Sequence, residues 1–152
     1  MKILFVCTGN TCRSNMAEAL AGRLMEDRFG SGGYIEVCSA GLAASPEEPA
    51  ASFAVEAMAW KGIDMSDYRA SLLTREMVQE ADLVLTMTRG HLEQLNILFP
   101  GYHKKAFTLA DFAGAGGDIA DPIGQSLDVY RQCAHRLEEL ISRVLDKLVD
   151  QD

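Results

Sequence analysis

A single three-layer α/β domain spanning residues 1–152, with a four-stranded parallel sheet and helices on both faces, is the fold class this sequence predicts. Three observations lead there. Short apolar runs alternate with stretches of helical period, the pattern of strands covered by helices. The first run, Lys2–Cys7 (KILFVC), is apolar on both faces, as a central parallel strand requires. At 152 residues with 48% hydrophobic side chains, the chain fits one core and shows no second composition regime, internal repeat or low-complexity tract.

The elements follow in order. After the strand Lys2–Cys7, Ser14 is expected to cap a helix carrying Met16, Leu20 and Leu24 on one face and ending near Gly30. Ile35–Ala40 reads as the second strand. Pro46 and Pro49 punctuate a loop, and Ala50–Lys61 reads as a helix closed by Gly62. Thr74–Glu80 is a short helix leading into a third strand, Leu83–Met87. A helix over roughly 90–98 is stopped by Pro100 and Gly101. The fourth strand, Ala106–Leu109, runs into a glycine-rich loop over 111–125. The last helix, about Ser126–Val149, places Leu127, Tyr130, Ala134, Leu137, Ile141, Val144 and Leu148 on one stripe, which is core. The run Gly114–Gly117 lacks the G-x-G-x-x-G spacing of a nucleotide loop and reads as a flexible connection. The expected sheet is flavodoxin-like, with strand order 2-1-3-4.

A formal net charge of −8 argues against a broad nucleic-acid or anionic-membrane footprint, so an anionic substrate must be captured locally. No segment approaches the length of a membrane span, and the N-terminal apolar run is too short for a signal peptide. The expected compartment is the cytoplasm, where Cys7, Cys12, Cys38 and Cys133 are reduced thiols.

The crevice of such a sheet opens at the carboxyl end of a central strand, where the loop CTGNTCRS emerges. Gly9 and Asn10 tolerate positive φ, so successive N–H groups of Thr8, Gly9, Asn10, Thr11 and Cys12 can converge on one anion. The following helix adds its dipole, and Arg13 can grip a phosphate through two parallel hydrogen bonds. The same field favours the thiolate of Cys7, which can attack phosphorus in line and form a phosphocysteine without metal or other cofactor. Ser14 can then donate to the departing sulfur. Taken singly, each residue reads first as a buried strand cysteine or a surface arginine opening a helix; together, C-x5-R-S between strand and helix is a strong pattern. Cys12 is either an inert buried thiol or the partner of a reversible disulfide that shields Cys7.

Protonating the leaving atom needs an acid, and Asp111, Asp118 and Asp121 all lie in the loop before the last helix. The ring of Pro122 can hold Asp121 in one direction, but Asp-Pro is equally a turn former.

These residues resemble the low-molecular-weight protein tyrosine phosphatases, with the related arsenate reductases and bacterial protein-arginine phosphatases. The likeness covers nearly the whole chain and rests on VCTGNTCRS at Val6–Ser14, MAEAL at Met16–Leu20, SAG at Ser39–Gly41, ADLVLTM at Ala81–Met87, and Asp121 with Pro122. It implies Cys7 as nucleophile, Arg13 as phosphate binder and Asp121 as general acid and base. Its substrates would be phosphorylated proteins or peptides and its product inorganic phosphate. The arginine-phosphatase branch is the nearest, because Thr11 stands where the tyrosine branch usually carries an aliphatic residue, and Ile123 where it often carries an aromatic one. Two positions depart from the family pattern. Asn15 replaces a usual proline, and Tyr68 stands where a histidine is expected to support the phosphate loop.

Three alternatives compete with phosphoarginine hydrolysis. Phosphotyrosine hydrolysis would use the same residues. Arsenate reduction needs a relay of further cysteines after the central strand, and residues 82–100 contain none. A non-catalytic phosphate binder would need neither a thiolate nor an acid.

Overall fold

The computed structural model describes residues 1–150, so the last two residues of the expected 1–152 unit lie outside the described residues. Four strands, β1 (Lys2–Cys7), β2 (Glu36–Gly41), β3 (Leu83–Thr86) and β4 (Ala106–Thr108), form one parallel sheet in the order β2-β1-β3-β4. Strand β1 is central because nearly all of it is apolar, and its alternate residues feed two cores. Ile3, Phe5 and Cys7 pack with helices α1 (Arg13–Phe29), α2 (Ser52–Ala59), α5 (Leu109–Phe112) and α6 (Leu127–Asp150) on one face. Leu4 and Val6 pack with α3 (Arg75–Glu80) and α4 (Arg89–Leu98) on the other.

The chain runs from β1 outward to β2 and then crosses to β3 on the opposite side of β1. The order therefore reverses beside β1, and the loops leaving the carboxyl ends of β1 and β3 flank the crevice. Helix α6 presents the expected stripe, with Tyr130, Ala134, Leu137, Ile141, Val144 and Leu148 buried.

Four local expectations are corrected. Ser14 does not cap α1: Cys12 occupies that position without a side-chain cap, and Ser14 lies inside the helix. Its hydroxyl is taken by the loop, as described below. Helix α2 is shorter than 50–61 because Gly62, at φ +75, lets Gly62 N and Ile63 N turn back onto Ala59 O and Met58 O. Strand β2 begins and ends one residue later than expected. Residues 109–112 form the single-turn helix α5, which Thr108 Oγ1 caps by accepting from Asp111 N at 3.1 Å. Thr74 and Thr88 cap α3 and α4 in the same way.

Candidate active site

The loop after Cys7 is held from outside by its carbonyls. Leu42 N, Ala43 N and Ala51 N donate to Cys7 O, Thr8 O and Thr11 O at 2.9, 2.9 and 3.0 Å. Asn10 makes the reversal at φ 56, a conformation that asparagine tolerates, and its N–H points at Cys7 Sγ from 3.3 Å. A Cβ on the neighbouring Gly41 would stand 2.5 Å from Thr8 O and 2.9 Å from Asn10 N, so glycine there is what lets β2 lie against the loop.

The buried Asn10 side chain is the hub of the support. Its Oδ1 accepts from Ser71 N at 2.9 Å and from Tyr68 Oη at 2.7 Å. Its Nδ2 donates to Ser14 Oγ at 2.8 Å and Ser39 Oγ at 3.0 Å. Ser14 Oγ in turn lies 2.8 Å from Cys7 Sγ, so it is placed to donate to a thiolate. Tyr68 thus occupies the supporting place expected of a histidine. Burial pushes its phenol above the ordinary tyrosine range, so it acts as a neutral hydroxyl.

Arg13 opens α1 with 5% of its surface exposed; Nη1 donates to Ile119 O at 2.9 Å and Nη2 lies 3.4 Å from Asp121 Oδ2. The other Asp121 oxygen, Oδ1, accepts from Ile123 N at 3.1 Å. One carboxylate therefore forms the turn at Pro122 and faces the arginine. Residues Cys7–Arg13, Asp121 and Ile123 line one cleft of about 140 Å³, which includes Thr8, Gly9, Asn10, Thr11 and Cys12. Ser14 reaches it only through the sulfur. Asp111 and Asp118 instead line a neighbouring cleft with Arg89, and Asp118 Oδ1 accepts from Arg89 N at 2.9 Å.

Cys12, Cys38 and Cys133 are neutral thiols. Burial pushes Cys12 up despite its contact with Tyr130 Oη at 3.5 Å, and pushes Cys133 up to about 12. Two neighbours of the loop carry no sequence signal. His91, 83 residues away along the chain, lies with Nε2 2.9 Å from Thr8 Oγ1. Burial, reinforced by the positive charge of Arg13, lowers its pKa to about 4, so the ring is a neutral imidazole. Glu18 reaches the loop through Ser39, whose Oγ lies 3.0 Å from Glu18 Oε1 and 2.6 Å from Tyr68 Oη. Glu18 falls within the MAEAL stretch, yet nothing in the spacing points to the loop.

The chain is 44% identical over 149 residues to a protein-arginine-phosphatase of Bacillus subtilis, covering 97% of each chain. It is 34% identical over 145 residues to the low molecular weight protein-tyrosine-phosphatase PtpB of Staphylococcus haemolyticus, covering 95% of this chain and 97% of that one. Among solved structures, it superposes with a TM-score of 0.90 on the YwlE arginine phosphatase in a cysteine-to-serine mutant with a phosphorylated active-site serine. That pair is 44% identical and covers 100% of this chain and 97% of the other. A family model for low molecular weight phosphotyrosine protein phosphatases matches residues 2–152, and the chain belongs to that family.

Proposed function

We propose that this chain is a cysteine-dependent protein phosphatase that hydrolyses phosphoarginine in proteins or peptides through a phosphocysteine, in the cytoplasm and without a metal. The observation that carries the reading is the gathering of Cys7, Arg13 and Asp121 around one phosphate-sized cleft at the carboxyl end of β1. Arg13 exchanges its contact with Asp121 for the phosphate oxygens, joined by the loop N–H groups. The Cys7 thiolate attacks phosphorus; the P–N bond breaks as Asp121 passes its proton to the leaving guanidine nitrogen. Water then attacks phosphorus, Asp121 takes back a proton, and the P–S bond breaks to release inorganic phosphate. Ser14 donates to the sulfur as its charge returns.

Thr11 in the cleft and the exposed, non-aromatic Ile123 at its rim favour a polar guanidinium over a stacked phenol. Two relatives 44% identical to this chain over nearly its full length are named protein-arginine-phosphatase. No helix among the described residues is long and apolar enough to cross a membrane, in keeping with a freely diffusing enzyme. The test compares kcat/KM on matched phosphoarginine and phosphotyrosine peptides with EDTA present. Phosphoarginine is expected to be preferred, Cys7→Ser to turn over neither, and Thr11→Ile to move the ratio toward phosphotyrosine. Loss of turnover in EDTA, or preference for phosphotyrosine by the wild type, would overturn the corresponding part.

A further inference from the structure

The hydrogen bonds between Glu18 and Cys7 can be counted. Ser71 N is a backbone donor, so the Asn10 atom 2.9 Å from it is the carbonyl oxygen, and the amide nitrogen faces Ser14 and Ser39. Because Asn10 Oδ1 carries no hydrogen, Tyr68 must spend its single proton on it. The 2.6 Å contact between Ser39 Oγ and Tyr68 Oη then needs the proton of Ser39. Ser39 Oγ is placed to donate to Glu18 Oε1 at 3.0 Å, but with its proton spent on Tyr68 it can offer Glu18 only a lone pair. Three oxygen pairs thus share two hydroxyl protons, and the third must come from the carboxyl.

We propose that Glu18 is a protonated carboxylic acid in the folded protein, and that its proton sets the direction of the chain Glu18, Ser39, Tyr68, Asn10 that supports the phosphate loop. Every oxygen is then satisfied: Ser39 Oγ donates to Tyr68 and accepts from Glu18 and Asn10 Nδ2. The second Asn10 amide hydrogen goes to Ser14, which keeps its own proton for Cys7 Sγ. If Glu18 ionises, Ser39 turns its proton to the carboxylate, and the 2.6 Å contact with Tyr68 becomes two oxygens with no hydrogen between them.

The surroundings agree. Burial raises the Glu18 pKa and outweighs the opposing Ser39 hydroxyl and amide. The titratable groups that face it are Cys38 on β2 and Tyr68 on the connection from α2 to α3, both neutral and both raised chiefly by burial. Lys2, Glu36 and Glu80 act on Cys38 beyond it. On α1 itself, the neighbours of Glu18 at three and four residues are Ser14, Asn15, Ala21 and Gly22, none charged. No ion pair to Glu18 forms among the described residues. Because the folded state holds this proton more tightly than the unfolded chain, the stability it contributes is full below the ordinary glutamate pKa. That contribution is lost as pH rises through the raised one.

Glu18 is therefore a positioning residue, and its role in turnover rests on the reading of Cys7 as nucleophile; the proton itself does not. The test is infrared spectroscopy of the full chain carrying 13C-labelled glutamate. A carboxylic acid C=O band is expected at neutral pH in the wild type and absent in Glu18→Gln. In Tyr68→Phe, where Ser39 is free to turn to the carboxylate, the proton affinity should fall about tenfold. Absence of the band from the wild type overturns the proposal even if a variant fails to fold, as does an unshifted band in Tyr68→Phe. In the wild type, phosphoarginine hydrolysis should decline with the same midpoint as the band. Hydrolysis unchanged across that midpoint removes the positioning role, whereas no hydrolysis at any pH contradicts the phosphatase reading and leaves the band to decide the proton.

Discussion

Tyr68 Oη donates to Asn10 Oδ1 at 2.7 Å, bridging 58 residues of sequence to the point where the phosphate loop reverses. A single phenol hydroxyl thus supports the residue whose amide orients Ser14 toward Cys7. Tyr68→Phe should lower kcat about tenfold and stability by about 1 kcal/mol, since Asn10 keeps only its Ser71 partner on that oxygen. Tyr68→His, whose ring N–H also donates, should recover part of both. Steady-state kinetics and urea unfolding measure the two effects.

Gly41→Ala probes the loop from β2. The added Cβ would stand 2.5 Å from Thr8 O and 2.9 Å from Asn10 N, and neither backbone atom can swing away as a side chain would. The loop should be displaced, weakening inorganic phosphate binding at least about tenfold and costing about 1–3 kcal/mol of stability. Calorimetric titration with phosphate and thermal unfolding would show both losses.

The fold and the loop that lines the cleft were legible because their signals are contiguous. An apolar KILFVC followed at once by C-x5-R-S joins strand, loop and helix in thirteen residues. Asp121 is set beside Pro122, though only the fold brings it to Arg13 rather than leaving it with Asp111 and Asp118. The support of the loop was largely hidden, because Glu18, Ser39 and Tyr68 come together only when α1, β2 and the connection after α2 pack. Ser14 misled for a physical reason. A serine before an apolar helical run is an ordinary cap, but here its hydroxyl is claimed by Asn10 and Cys7. Helix α5 was hidden by its length, a single turn fixed by one threonine cap.

His91 makes a pH prediction. Its folded pKa of about 4 lies below the ordinary 6.5, so the unfolded chain binds the proton first as pH falls. Stability is full above 6.5 and declines toward pH 4, by roughly 2–3 kcal/mol from this one group. His91→Asn can keep a contact with Thr8 but does not titrate. Urea unfolding from pH 4 to 7 should give a shallower slope for the variant; parallel slopes would contradict a neutral His91.

Asn15, third in α1, is fully buried, and neither its Oδ1 nor its Nδ2 has a hydrogen-bond partner among the described residues. An amide in that state costs about 1–3 kcal/mol. Asn15→Pro, the residue usual in the family, removes the unpaired amide and stiffens the first helical turn, where a backbone N–H is not needed. The variant should melt higher than the wild type. An unchanged or lower melting temperature would mean that the amide is satisfied in solution.

Cys7 Sγ, 2.8 Å from Ser14 Oγ and lining the same cleft as Arg13 and Asp121, is the atom expected to receive the phosphoryl group. Asp121→Asn should slow turnover about 10²–10³-fold while leaving phosphate bound to Arg13 and the loop, because the departure of the guanidine and the attack of water both lose their proton carrier. The direct measurement is rapid acid quench of the wild-type enzyme during turnover of a phosphoarginine peptide, followed by mass spectrometry of the digest. Phosphate carried on Cys7 is the predicted result. Turnover with phosphate on another side chain, or with no phosphoenzyme at all, would contradict the assignment.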